Sequence, residues 1–308
     1  MVQSTICKVD KPKKHDWNYS LATHTLTSND LTPVPGFKKF YPGLSNCGKH
    51  FMVRMMIPNP EEGRKWRHYT IASVMERDVY HKYMTLLGKG LNSSMNSTES
   101  KKNLANIDLA DLLPTQDQNS MIFTVKNYRR ESCVSEKFFR KSGALEFEVK
   151  GPLGKGLQVQ KTGVHVAFAA GTGVLTFMDL VAHIATTNLN MNGKLGVDPN
   201  DCISDGFKLV LHVAYKQKID ALGLEMMERL RKFCENNNFN NFELFVKITK
   251  EGINPARWDQ AFIRKRLEEY GGAEGIKKIW VVGPPVMTET FERAFENLPE
   301  YKKFSEIL

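Results

Sequence analysis

The chain contains 308 residues, of which 41% are hydrophobic and 25% are charged. This composition is typical of a soluble globular protein and excludes collagen, a coiled coil and an intrinsically disordered chain. Lysine and arginine total 43 against 34 aspartates and glutamates, so the net charge is +9 at pH 7. This excess favours an acidic protein partner, a phosphate-rich cofactor or an anionic membrane surface. A nucleic acid partner is not predicted, because no dense basic run with interleaved aromatic residues is present.

The five cysteines are scattered, and they form neither a C-x-x-C pair nor a cluster with metal-ligand spacing. They indicate free thiols in a reducing compartment and no metal site. The N-terminus is polar and lysine-rich, without the apolar core of a signal peptide. We expect a cytoplasmic protein, or one at the cytosolic face of a membrane or in a larger complex; a mitochondrial assembly stays open.

The first half of the chain is a run of short strand patterns separated by glycine and proline, which predicts an antiparallel barrel over residues 19–160. Residues 1–18 are predicted to be a polar extension. Residues 75–120 are predicted to be a long exposed insertion with one short helix near residues 104–113. The predicted strands are residues 19–27, 50–57, 67–74, 121–128 and 145–149.

The second half alternates apolar strand patterns with helical patterns, which predicts a parallel sheet with helices on both faces over residues 161–308. Residues 164–184 are apolar enough to suggest a membrane span, but G-T-G in their middle favours a strand, a turn and a helix. The predicted strands are residues 164–169, 207–215, 242–248 and 276–282, and the predicted helices are residues 175–187, 222–236 and 255–270.

Two glycine-containing turns follow buried strands of this half. A-A-G-T-G-V begins at Ala169, where glycines would let the backbone approach a phosphate at the start of a helix. V-V-G-P-P-V-M begins at Val281, where the two prolines would fix a rigid loop at the carboxyl edge of the sheet. Each motif alone is also compatible with an ordinary tight turn or strand terminator.

R-H-Y-T at residues 67–70 lies on a predicted barrel strand, where alternation places Arg67 and Tyr69 on one face. Arginine can hold a pyrophosphate, tyrosine can pack on a planar ring, and threonine can hydrogen-bond a ring edge. A solvated edge strand is the alternative. Three histidines on buried elements, His165, His183 and His212, are interpreted as core residues that ligate nothing.

Five motifs occur in a fixed order: R-x-Y-T, V-K-x-Y with a following serine, G-P-x-G, G-T-G and G-P-P-x-M. Their order and spacing resemble the ferredoxin–NADP reductase superfamily, closest to the NADH–cytochrome b5 reductases. The resemblance spans residues 19–308 apart from the insertion. It implies a flavin-binding antiparallel barrel followed by a Rossmann-like parallel-sheet nucleotide-binding domain, with FAD and NADH or NADPH as cofactors.

The resemblance also implies a role for each matching residue. Arg67 would bind the flavin pyrophosphate, Tyr69 would pack on the flavin ring, and Thr70 would bond the reactive edge of that ring. Thr70, Thr172 and Thr176 are the predicted catalytic residues. The other predicted cofactor-binding residues are Lys126, Tyr128, Val134, Ser135, Gly171, Thr172, Gly173, Asp220, Gly283, Pro284, Pro285 and Met287.

Asp220 resembles the acidic residue that bonds the adenosine ribose, and a carboxylate there repels a 2′-phosphate. Because Lys216 and Lys218 could attract that phosphate, the preference for NADH over NADPH is slight. The chain also departs from the family, with Val282 in place of the usual cysteine and Thr176 in place of a proline.

Two functions of different class follow. The first is a flavoenzyme that passes electrons from NADH through FAD to a one-electron acceptor, such as an acidic haem protein. The alternative, motivated by Val282 and Thr176, is a catalytically weakened subunit with a structural or regulatory role in a larger assembly.

Overall fold

The computed structural model describes ten stretches of the chain. The chain divides into two compact units. The first unit holds the antiparallel strands, and the second holds the parallel strands. The helices at residues 77–92 and 175–189 contribute residues to both units. The described residues are 4–9, 13–15, 18–28, 44, 47–56, 66–92, 120–126, 146–189, 203–252 and 258–308.

Seven strands form one antiparallel sheet in the first unit. They are β1 (Ser4–Val9), β2 (Lys13–His15), β3 (Asn18–Ser28), β4 (His50–Met56), β5 (Arg67–Thr70), β6 (Ser120–Lys126) and β7 (Glu146–Leu153). The order is β2-β3-β1-β7-β4-β5, and β6 pairs with β3 outside this path. Because β5 also contacts β6, the ends of the sheet approach each other, as expected of a barrel.

The central pair β4–β7 shows why these segments become strands. Val53 lies opposite Val149, and both side chains are buried, as are Phe51 and Phe147 two residues away on each strand. Residues between them are only half-buried, so one face of each strand packs into the core, as period-two alternation predicts. The predicted barrel strands are therefore confirmed, although β5 ends at Thr70 rather than at residue 74.

The prediction of a polar extension over residues 1–18 is wrong for two segments. β1 pairs with β3 and β7, and β2 pairs with β3, so these residues belong to the sheet. The physical reason is that pairing uses backbone groups, which a lysine-rich segment offers as well as an apolar one. The β-branched residues of S-T-I-C-K-V were the available signal.

The prediction of an exposed insertion over residues 75–120 is wrong for its first part. Residues Arg77–Asn92 form helix α1, which has one buried face. The buried side chains recur at three- to four-residue intervals and are Val79, Tyr80, Tyr83, Met84 and Leu87. The predicted short helix at residues 104–113 lies outside the described residues.

The second unit is a five-stranded parallel sheet. Its strands are β8 (Gly163–Ala170), β9 (Phe207–Tyr215), β10 (Phe242–Ile248), β11 (Ile276–Val282) and β12 (Ser305–Ile307). Their order is β10-β9-β8-β11-β12. Numbered within this sheet, the order is 3-2-1-4-5, which is that of a doubly wound nucleotide-binding fold. Four of these strands were predicted, and three of them match the predicted bounds.

Helices connect the parallel strands. They are α2 (Leu175–Leu189), α3 (Leu224–Asn236), α4 (Gln260–Glu269), α5 (Gly272–Gly275), α6 (Pro285–Glu296) and α7 (Pro299–Lys302). The apolar segment of residues 164–184 is β8, a glycine turn and the first part of α2, as predicted. Within the described part of the chain, no helix has the length and apolar character needed to cross a membrane.

Candidate functional site

The G-T-G motif forms a 3-10 turn, Gly171–Val174, between the end of β8 and the start of α2. Gly171 has a φ of +57°, and the space where a Cβ atom would lie is open for 4 Å. A Cβ atom on Gly173 would lie 2.5 Å from the carbonyl oxygen of Val282, at the end of β11. Only glycine permits this approach, so the turn is fixed against the neighbouring strand.

The G-P-P motif lies at the same edge, directly after β11. A Cβ atom on Gly283 would lie 2.6 Å from the Sδ atom of Met287 and 3.2 Å from the Cβ atom of Ala170, the last residue of β8. Pro285 is the first residue of α6, where its fixed φ suits a helix start. The carbonyl of Pro284 accepts a 2.8 Å hydrogen bond from the Met287 amide.

These two turns meet at the point where the strand order of the sheet reverses. β8 and β11 are neighbours, but β9 lies on one side of them and β12 on the other. Ligands of doubly wound sheets bind in the crevice outside the carboxyl ends of such a strand pair. The structure therefore brings together seven predicted residues: Gly171, Thr172, Gly173, Gly283, Pro284, Pro285 and Met287.

Asp220 lies at the carboxyl end of the next strand, β9, in a 3-10 turn formed by Lys218–Asp220. The amide of Lys218 donates a 2.7 Å hydrogen bond to the Glu251 carboxylate, which follows β10. The hydroxyl of Tyr215 donates a 2.7 Å bond to the carbonyl of Leu222 behind the turn. The turn that carries the half-buried Asp220 is thus held on both sides.

Basic side chains surround this turn. Lys216, Lys218 and Lys250 are exposed, and the Lys250 amide donates a 3.0 Å hydrogen bond to the Lys216 carbonyl. The two loops after β9 and β10 therefore carry three exposed lysines and two acidic residues, Asp220 and Glu251. This arrangement suits a phosphate-bearing ligand whose ribose meets Asp220.

The R-H-Y-T motif is strand β5. Its register against β4 sets Tyr69 opposite Phe51 and Thr70 opposite His50. Arg67 is exposed, whereas Tyr69 and Thr70 are half-buried. Among the residues that the structure describes, no carboxylate pairs with Arg67, so its guanidinium suits an anionic ligand.

Two other predicted site residues, Lys126 and Thr176, lie on β6 and α2. Lys126 is the last residue of β6, and the structure gives its backbone position only. Tyr128, Val134 and Ser135 lie outside the described residues. Thr176 is the second residue of α2 and is 4% exposed. The roles of these residues stay predictions.

Sequence reasoning missed one residue of this region, Asp179 on α2. It is 2% exposed, and its Oδ1 atom accepts a 3.0 Å hydrogen bond from the Val74 amide. Burial raises the pKa of this carboxyl to about 6, although hydrogen bonds from Val74 and Ser73 act in the opposite direction. The available signal was an acidic residue in a helix that contains no other Asp, Glu, Lys or Arg.

Two of the predicted core histidines are buried and hydrogen-bonded. His212 stacks between Phe168 and Phe245, and its Nε2 atom lies 3.0 Å from the Tyr270 hydroxyl. Burial lowers the pKa of His212 to about 3, with a smaller contribution from Arg266. Burial also lowers the pKa of His165 to about 4. Among the described residues, no group of three or more candidate metal ligands is present.

No protein-family model and no curated protein matches the sequence. Solved structures do match. The chain is similar to a flavohemoglobin from Malassezia yamatoensis with bound FAD and haem, with a TM-score of 0.57 and 12% identity, over 100% of this chain and 60% of that one.

Two further similar structures are matched over nearly their whole length. The cytochrome b5 reductase domain of Ulva prolifera nitrate reductase has a TM-score of 0.57 and 14% identity, over 99% of this chain and 97% of that one. The ferredoxin–NADP+ reductase of Plasmodium falciparum has a TM-score of 0.55 and 13% identity, with the same coverage of 99% and 97%. At such identities the likeness shows the fold alone, which is a barrel followed by a Rossmann-like domain.

Proposed function

We propose that the chain is a flavoprotein oxidoreductase that takes electrons from NADH and passes them through FAD to a one-electron acceptor. The observation that carries the proposal is the meeting of the G-T-G and G-P-P turns at the carboxyl ends of β8 and β11. Gly171 leaves open space over the backbone there, and Gly173 and Gly283 let the two turns pack closely against Val282 and Ala170. A dinucleotide is the ligand class that such an edge accepts.

The nucleotide half of the reaction would use this edge. Thr172 and the amides that begin the G-T-G turn would bond the phosphates, with the helix dipole of α2 behind them. Met287 and Pro284 would lie against the nicotinamide end. Asp220 would accept hydrogen bonds from the ribose hydroxyls, which favours NADH over a nucleotide that carries a 2′-phosphate.

FAD would bind to strand β5, which carries the R-H-Y-T motif, and to the residues of the next motif along the chain. When bound, FAD supplies the two-electron to one-electron conversion that no amino-acid side chain provides. Arg67 would hold the pyrophosphate through paired N–H groups, Tyr69 would cover one face of the ring, and Thr70 would bond the ring edge. Lys126, Tyr128, Val134 and Ser135 would complete the binding surface.

For the acceptor, we propose an acidic haem protein. The net charge of +9 would accelerate the encounter with such a partner more than it would tighten the complex. One similar structure, the flavohemoglobin, contains both FAD and haem, and this chain covers 60% of its length. The haem of this acceptor would lie in a separate chain or domain.

Arginine 67 provides the test of flavin binding. We predict that Arg67→Ala weakens FAD binding by about 2–4 kcal/mol, because the pyrophosphate charge loses its partner. The measurement is a fluorescence titration of flavin-free protein with FAD. The matched control is Arg231→Ala, which removes an arginine that pairs with Glu235 on α3. Equal FAD affinity in both variants would remove Arg67 from this role.

A catalytically weakened subunit is the second candidate, and Val282 is the observation that favours it. The Cγ1 atom of Val282 would lie 3.0 Å from a Cβ atom on Gly173, so an aliphatic side chain packs against the nucleotide turn. The family's usual cysteine would offer a polarizable sulfur at this position. A chain of this kind would bind FAD without accepting electrons from NADH.

A further inference from the structure

A buried carboxylate connects helix α2 to the segment that follows β5. Asp179 is 2% exposed, and three hydrogen-bond donors from two consecutive residues reach it: the amides of Ser73 and Val74 and the hydroxyl of Ser73. A buried carboxylate is costly unless such donors satisfy it. Because these donors satisfy the carboxylate, Asp179 joins α2 to the turn after β5, and removing its oxygens would leave buried amides without an acceptor.

The donors belong to a 3-10 turn, Ser73–Met75, that begins three residues after Thr70. The first amides of a helical turn have no partner within it, and the N-cap residue Ala72 offers no side-chain hydrogen bond. Asp179 supplies the missing cap from a position 105 residues away from Val74. The end of β5 is therefore attached to a helix rather than to a free loop.

A second carboxylate, that of Glu76, caps the start of helix α1 in the same segment. Glu76 is buried, and its Oε2 atom accepts hydrogen bonds of 2.9 Å and 3.0 Å from the amides of Asp78 and Val79, which begin α1. Two successive helical starts, the 3-10 turn Ser73–Met75 and helix α1, are thus each capped by a carboxylate. The two caps differ, because Glu76 acts on its own neighbours, whereas Asp179 reaches the turn from another element.

The hydrogen bond between Asp179 and Val74 links the segment after β5 to helix α2. The helix starts directly behind the G-T-G turn, and Asp179 lies six residues after Gly173. We propose that Asp179 is a positioning residue that fixes the Thr70 end of β5 for contact with the flavin ring. The inference rests on the proposed function, since it assigns β5 to FAD.

The test compares Asp179→Leu, which removes the acceptor, with Asp179→Asn, which keeps one acceptor oxygen in the same place. The matched control is Asp259→Asn, because Asp259 caps α4 by accepting a 2.9 Å hydrogen bond from the Phe262 amide. In flavin-free protein, hydrogen exchange of residues 71–76 reports whether the turn is held. In FAD-loaded protein, the FAD dissociation constant and the visible circular dichroism of the flavin report the position of β5.

We expect faster exchange in residues 71–76, an altered flavin dichroism and an FAD dissociation constant about tenfold higher in Asp179→Leu. Asp179→Asn should recover part of each change, and Asp259→Asn should leave the flavin signals as in wild type. If Asp179→Leu does not fold, Asp179→Asn decides by the same signals.

Two outcomes would overturn the inference in distinguishable ways. A wild-type chain that binds no FAD contradicts the proposed function, and the inference falls with it. A wild-type chain that binds FAD, together with Asp179 variants whose flavin dichroism and FAD affinity equal wild type, overturns the positioning role alone. Unchanged exchange in residues 71–76 would overturn it as well, since the turn would then not depend on Asp179.

Discussion

At the scale of single residues, glycines shape the proposed nucleotide site as much as the larger side chains do. Gly173 and Gly283 sit where a Cβ atom would come within 2.5 Å and 2.6 Å of neighbouring atoms. The sequence predicted both glycines from their motifs. It could not show that Gly173 meets the carbonyl of Val282, because that contact joins positions more than 100 residues apart and depends on the pairing of β8 with β11.

Asp220 carries the first residue-scale prediction. We predict that Asp220→Ala narrows the preference for NADH over NADPH by about tenfold, since the 2′-phosphate no longer meets a carboxylate and three lysines are close by. The measurement is the ratio of kcat/KM for the two nucleotides.

The control for Asp220 is Asp205→Ala, which removes an exposed carboxylate at the other end of the same strand, β9. Its nucleotide preference should equal wild type. An unaltered ratio in Asp220→Ala would show that Asp220 does not read the ribose.

The buried His212 carries a prediction about pH. Its pKa is about 3 in the folded chain, against 6.5 for an ordinary histidine, because burial disfavours the charged ring. As pH falls, the unfolded chain therefore binds the proton before the folded chain does. The stability that neutral His212 contributes is fully present above pH 6.5 and is lost as pH falls towards 3. Between about pH 7 and pH 5, the expected loss is about 2 kcal/mol.

His212→Phe should remove this loss while keeping a ring between Phe168 and Phe245. The measurement is urea unfolding of both proteins across that pH range. We expect the free energy of unfolding of wild type to fall relative to the variant as the solution is acidified. Parallel curves would contradict the assignment of a neutral buried imidazole.

At the scale of elements, four parallel strands and the helices α2, α3 and α4 were predicted, whereas the helices α1 and α6 were missed. β9, β10 and β11 match their predicted bounds because each is rich in apolar residues with high strand propensity. Helix α1 was missed because composition averaged over residues 75–120 hides a period of 3.6 residues. Helix α6 was missed although Pro285 at its first turn and the buried Phe291 and Phe295 give a helical pattern.

The short strand β12 could not be predicted in the same way. Its three residues, S-E-I, carry no periodic signal, and they form a strand only because β11 offers an edge in register. The hydrogen bond between Asp179 and the Val74 amide could not be predicted either, because it joins residues 105 positions apart.

Helix α1 carries the element-scale prediction. Leu87 is fully buried on its apolar face, whereas Lys82 is exposed on the opposite side of the helix. We predict that Leu87→Ala lowers the free energy of unfolding by about 2–4 kcal/mol through the lost burial and the cavity. Lys82→Ala should change it by less than about 0.5 kcal/mol. Similar small effects in both variants, measured by urea unfolding, would contradict the packing of this helix.

At the scale of the whole molecule, the sequence motifs predicted the class of fold. Five motifs in order indicated a flavin barrel followed by a nucleotide domain, and solved structures with 12–14% identity share that fold. What the motifs could not predict is how β1 joins the barrel sheet or how the turn after β5 is capped. Both depend on pairing between residues distant in the chain.

The central claim is that this chain carries electrons from NADH to a bound flavin. The most direct measurement is an anaerobic titration of the FAD-loaded chain with NADH, followed by the visible absorption of the flavin. We predict that the yellow colour bleaches with one equivalent of NADH per flavin. A protein that binds FAD and stays yellow with excess NADH and NADPH would contradict the claim and leave the structural subunit as the better account.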